Sequence, residues 1–99
     1  MLLYTVNIEL DRSIRQDWLE WMNSRHIPDV MNTKLFLSAQ LCLDTENELR
    51  FRVIYKCMSK DNLSKYLTNH AAGLRDEHTS RYEGKFVATR EIMEIIESY

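Results

Sequence analysis

With 99 residues, 44% of them hydrophobic, and only two glycines and one proline, the chain suits a single domain, residues 1–99, burying roughly 60–65% of its unfolded surface. Its net charge of -2, from 13 basic and 15 acidic residues without a like-charged run, offers no electrostatic footprint for nucleic acid or an anionic membrane. The N-terminal MLLYTVNIEL has no basic leader and Asn7 and Glu9 break its apolar run, so it reads as neither signal peptide nor membrane span, and a cytoplasmic protein is expected.

Leu2, Tyr4, Val6, Ile8 and Leu10 alternate with Leu3, Thr5, Asn7 and Glu9, the period of a half-buried strand. Ser13 and Gln16 have capping-box spacing, and Ile14, Trp18, Trp21, Met22 and Arg25 then share one helical face. Pro28 removes a backbone donor and disfavours helical geometry at Ile27. The first helix is therefore expected to stop near Arg25 or His26, with a short second helix from Pro28 to Met31.

Two further alternating runs, Leu35 to Leu43 and Leu49 to Cys57, flank a DTEN turn and predict a hairpin. Leu37, Leu41, Phe51 and Val53 join Tyr4 and Val6 on its apolar face. Cys42 and Cys57 fall on opposite faces of neighbouring strands, where their Cβ vectors diverge, so both are expected reduced. Ser59 caps a helix presenting Leu63, Tyr66, Leu67, His70 and Leu74, and Gly73 marks a break before a helical segment from Leu74 to Tyr82. Gly84 closes it. The final KFVATREIMEIIESY has apolar residues at both parities, as in a strand covered on both faces or containing a bulge.

The order βαββαβ is the split βαβ pattern of an α+β, ferredoxin-like fold, an antiparallel four-stranded sheet with its helices on one face. The opposite face carries Thr5, Asn7, Glu9, Ser38, Gln40, Arg50, Arg52 and Lys56. Sheet-to-sheet packing of two copies would cover it and the apolar Val87, Met93 and Ile95, so a homodimer through this face is expected. LYTVNI matches part of the strand-one motif of RNA-recognition domains, but exposing Tyr4, Phe51 and Tyr55 for base stacking would place Arg50, Arg52 and Lys56 under the helices. No nucleic-acid partner is expected.

Over essentially its whole length the chain resembles a family of small bacterial proteins of unknown function, the domain of unknown function 4286 type, in the dimeric α+β barrel superfamily. The residues that carry the likeness are Trp21, His26, Pro28 and Val30, in the pattern W-x4-H-x-P-x-V, and later RYEGKFVATR. A similar W…H-x-P signature follows the first helix of EthD-like members, several of which act on aromatic or polyketide substrates. The resemblance implies that His26 lies near the cleft between helices and sheet.

Imidazole titrates near neutrality, so His26 is the candidate acid or base; a helix-capping histidine is the competing reading. Asp29, three residues on, is placed to orient it, and Tyr66, His70, Arg75 and Arg90 are candidates to bind a ligand in the same cleft. No histidine pair, CxxC or glycine-rich loop is present, so no metal and no cofactor are expected. Two functions remain open: a protein that binds or transforms a small organic molecule, and a non-catalytic sensing or interaction module whose dimer is the functional unit.

Overall fold

The structure is a computed structural model describing residues 1–99. Strand β1, Leu2–Leu10, pairs antiparallel with β3, Arg50–Cys57, on one side and β4, Phe86–Glu94, on the other; β2, Ser38–Leu43, completes the order β2-β3-β1-β4. Tyr4 lies opposite Tyr55, and Val6 opposite Val53, so the two parities of the sequence become the two faces of the sheet. The helices α1 (Arg15–Trp21), α2 (Ile27–Met31), α3 (Lys60–Asn69) and α4 (Ala71–Arg81) cover one face, giving the ferredoxin-like arrangement. Both cysteines are free, Cys57 in the core and Cys42 on the other face.

Four local expectations change. Asp11, rather than Ser13, caps the first helical turn, accepting from the Ser13 amide at 2.9 Å, while Gln16 turns to Glu20. The short carboxylate side chain closes a local turn more directly than the hydroxyl can. The helix also does not stop before Pro28. A π turn over Met22–His26 joins α1 to α2, Ile27 keeps helical angles (φ -62°, ψ -44°), and its amide donates to the Met22 carbonyl. The wider turn moves hydrogen bonds out of α register at the point where Pro28 has no donor to offer.

The third change is at the hairpin, where β2 begins only at Ser38 and Phe36, rather than Leu37, enters the core. Phe36 stacks on Tyr4 with ring centroids 6.2 Å apart and meets Tyr66 edge-on at 4.7 Å, contacts a leucine could not reproduce. The fourth concerns the helix break, which falls at His70 (φ -129°), leaving Gly73 inside α4. Ser59 does cap α3, accepting from the Asn62 amide, and Gly84 takes the left-handed φ of 74° that closes the turn after α4.

β4 follows β1 in unbroken register without a bulge, and its covering ends early: Phe86 and Ala88 are half-buried, whereas Arg90 and Ile92 on the same face are exposed. The helical layer therefore closes over β1 and β3 but leaves a mouth beside Arg90. At the other end of α4, the Tyr82 hydroxyl donates to Asp17 at 2.7 Å and ties this helix to α1. No helix is long and apolar enough to cross a membrane.

Candidate functional site

Beneath that mouth, a cleft of about 40 Å³ lies between the helices and the sheet. Its walls come from β1 and β3 below, the π turn on one side and α4 on the other, with Arg75 and Arg90 lining it toward solvent. The volume suits one to three waters and is well below the ~300 Å³ of a typical ligand pocket, so an organic ligand enters only if the mouth opens.

His26 reaches the cleft from the π turn. Its ring packs on Trp21 with centroids 5.0 Å apart, and its Nδ1 is buried with no hydrogen-bond partner. Burial pushes the imidazole below its ordinary pKa; Glu77 and Asp29 oppose the shift, and Arg90 adds to it. Its unpaired nitrogen is thus presented in the neutral form at pH 7, which can take a proton or meet a polar group of a ligand.

A second histidine, His78 on α4, sits 5.7 Å from His26 between ring centroids. Trp18 donates its indole N–H to His78 Nε2 at 2.9 Å, which makes that nitrogen an acceptor and leaves the ring proton on Nδ1. Burial first, then His26 and Arg90, bring its pKa down to about 4. Phe86 meets the ring edge-on at 4.4 Å and fixes its plane.

The floor is aromatic and hydroxylic. Tyr4, Tyr55 and Tyr66 all line it, and none of the three hydroxyls bonds to a protein side chain, in contrast to Tyr82 with its Asp17 partner. Burial raises the phenols of Tyr55 and Tyr66, the latter to about 12, where Tyr4 adds to the rise and Arg75 and Arg90 counter it. The Tyr55 and Tyr66 hydroxyls therefore stay protonated and available as donors.

Of the residues singled out in the sequence, the structure brings His26, Tyr66, Arg75 and Arg90 to this cleft. Asp29 does not orient the imidazole: it pairs with Arg25 at 3.2 Å on the outer side, and acts on His26 only through its charge. His70 also lies outside the lining, at the junction of α3 and α4, stacked on Tyr66 at 6.3 Å. The sequence reading missed His78, Tyr4 and Tyr55. The signal for His78 was its place in the stripe Ala71, Leu74, His78, Tyr82, where a polar ring among buried positions needs a polar partner.

The strand order, with the helices gathered on one face, defines a ferredoxin-like α+β protein. Within that class the chain belongs to the family described as "Domain of unknown function (DUF4286)", which matches residues 1–96. Among curated proteins no match is found. Among solved structures it is similar to SnoaB, a cofactor-independent oxygenase from Streptomyces nogalater, with a TM-score of 0.75 at 11% identity over 98% of this chain and 95% of that one. It is similar as well to the heme-degrader MhuD from Mycobacterium tuberculosis, solved with two hemes bound in its active site (TM-score 0.71, 15% identity, 100% and 99% covered). A dimeric ferredoxin-like protein from an uncultured marine organism gives a TM-score of 0.75 at 8% identity, covering 100% and 98%. At these identities the likeness is one of fold.

Proposed function

We propose that the chain binds a small organic molecule in the cleft between helices and sheet, with His26 as the group available to exchange a proton with it. The observation that carries this reading is the unpartnered, buried Nδ1 of His26, a residue lining a cleft that also gathers unbonded tyrosine hydroxyls. A buried polar atom without a partner costs roughly 1–3 kcal/mol, and a ligand atom that satisfies it recovers that cost on binding. The aromatic floor favours a flat ligand body, and a neighbour of the same fold degrades the planar molecule heme.

A thermal-shift screen with aromatic acids and quinones tests the proposal, because a ligand that binds only the folded chain raises its midpoint. Compounds should be found that stabilise the parent and fail to stabilise His26→Ala. A screen without a hit, or hits that stabilise both chains equally, would reject it.

The open face of the sheet supports a second reading that concerns assembly, a homodimer through this face. Val87 and Met93 stand 69% and 62% exposed there, next to a network in which Arg52 donates to Asn7 at 2.7 Å and Asn7 to Glu91 at 3.2 Å. Arg52 already donates to Asn7 within one chain, and burial of the two exposed apolar side chains provides a driving force for association.

A further inference from the structure

The polar groups of the cleft are three tyrosine hydroxyls, two imidazoles and two guanidiniums, and only the guanidiniums carry charge at neutral pH. All five salt bridges of the chain lie elsewhere, and neither Arg75 nor Arg90 takes part in one. The acidic groups whose charges reach His26, Asp29 and Glu77, are both directed at Arg25 on the outer side. The two free guanidiniums act inward instead: both bear on the Tyr66 hydroxyl, and Arg90 bears on both imidazoles.

Two cations at the edge of an apolar recess, neither of them ion-paired within the chain, attract an anion and repel a cation. The recess beneath them is lined by Val6, Ile8, Leu74 and Ala88, which favours a hydrophobic body over a compact, fully hydrated anion such as phosphate. We infer that the ligand is a flat hydrophobic monoanion whose conjugated oxygen anion, a carboxylate or an ionised enol, sits between Arg75 and Arg90 while its ring body faces the recess. This rests on the proposal that the cleft binds a small organic molecule, and names its chemical class.

Calorimetric titration of the full chain with four probes of matched size tests the inference: naphthoate, hydroxynaphthoquinone in its ionised form, neutral naphthamide and naphthylmethylammonium. At least one of the two anions should bind tenfold or more tightly than naphthamide, a difference of about 1.4 kcal/mol, with the ammonium weakest. Whichever anion binds tighter separates carboxylate from enolate as the natural group. In Arg75→Gln and Arg90→Gln, both changes at exposed positions, the ratio of anion to amide should fall toward one while naphthamide affinity holds. Naphthamide binding as tightly as both anions, or an unchanged ratio in both variants, would overturn the inference and leave the cleft as a binding site for neutral molecules. Failure of all four probes to bind would reject the site reading itself.

Discussion

Acidification should destabilise this protein through His78, by an amount the structure allows to be worked out. The imidazole accepts a hydrogen bond from the Trp18 indole, which is fully buried, and has a folded-state pKa of about 4 against 6.5 in the unfolded chain. Protonation puts a second donor against the indole N–H and a charge into a buried aromatic site, so the unfolded chain takes up the proton first. Stability from this group is complete above pH 6.5, falls as the pH drops from 6.5 to about 4, and is then constant. At pH 5 the linkage amounts to ~2 kcal/mol, and over the whole window to ~3 kcal/mol. His26, whose pKa is also depressed, loses stability in the same direction. The assay is urea unfolding followed by the fluorescence of Trp18 and Trp21 at pH 7.5 and 5, where ~2 kcal/mol is a midpoint shift of about 1–2 M. His78→Gln retains an acceptor for the indole and removes the titration, so the variant should lose ~2 kcal/mol less than the parent between the two pH values. Equal losses in parent and variant would refute the reasoning.

Two backbone changes should stabilise the chain: Gly73→Ala, because α4 is regular there and an added Cβ meets nothing within 4 Å, and Lys34→Gly, because Lys34 holds a left-handed φ of 66°. Each is expected to add about 0.4–1 kcal/mol in urea unfolding, and a loss of stability in either would contradict the local geometry. For the proposed dimer, Val87→Lys with Met93→Lys should convert a two-fold assembly, seen by sedimentation equilibrium at micromolar concentration, to monomer without lowering the unfolding midpoint of the monomer. A parent chain that is already monomeric would refute the assembly.

The sheet was legible because a core-facing parity runs through β1 and β3: Tyr4, Val53 and Tyr55 are buried, while Asn7, Arg52 and Lys56 fall on the alternate positions that the pairing register places on the other face. Trp18, Trp21 and Met22 likewise marked the buried helical stripe. Misreadings arose where a local preference competes with tertiary packing. Gly73 looked like a break, yet glycine tolerates a helix interior at modest cost, while His70 leaves helical geometry as its ring stacks on Tyr66. Phe36 entered the core out of strand parity because a loop residue is free to choose its direction before the ladder begins at Ser38. Within the cleft, charge and imidazole chemistry could be anticipated from His26, Arg75 and Arg90. The pairing of Trp18 with His78, 60 positions apart, could not.

The π turn explains why His26, rather than its neighbour, meets the cleft. Successive residues of an α-helix are about 100° apart, so a regular helix that buries Trp18, Trp21 and Met22 would next direct Arg25 and Asp29 inward and turn Val30 away. The observed pattern is the reverse: Val30 is 1% exposed, His26 lines the cleft, and Arg25 and Asp29 pair on the outer side. One extra residue in the turn advances the buried face by one position, which trades an arginine and an aspartate for a histidine and a valine. Pro28 works in the same direction, since in regular α geometry its ring would crowd the carbonyl of Ser24 and leave that carbonyl without its donor. Asn23 and Ser24 add side-chain bonds to the carbonyls of Leu19 and Glu20 at 3.0 and 2.7 Å, satisfying backbone acceptors next to the widened turn. The proline therefore favours a one-residue shift in the buried face of the helix, and the place of His26 in the lining of the cleft is a consequence of that shift.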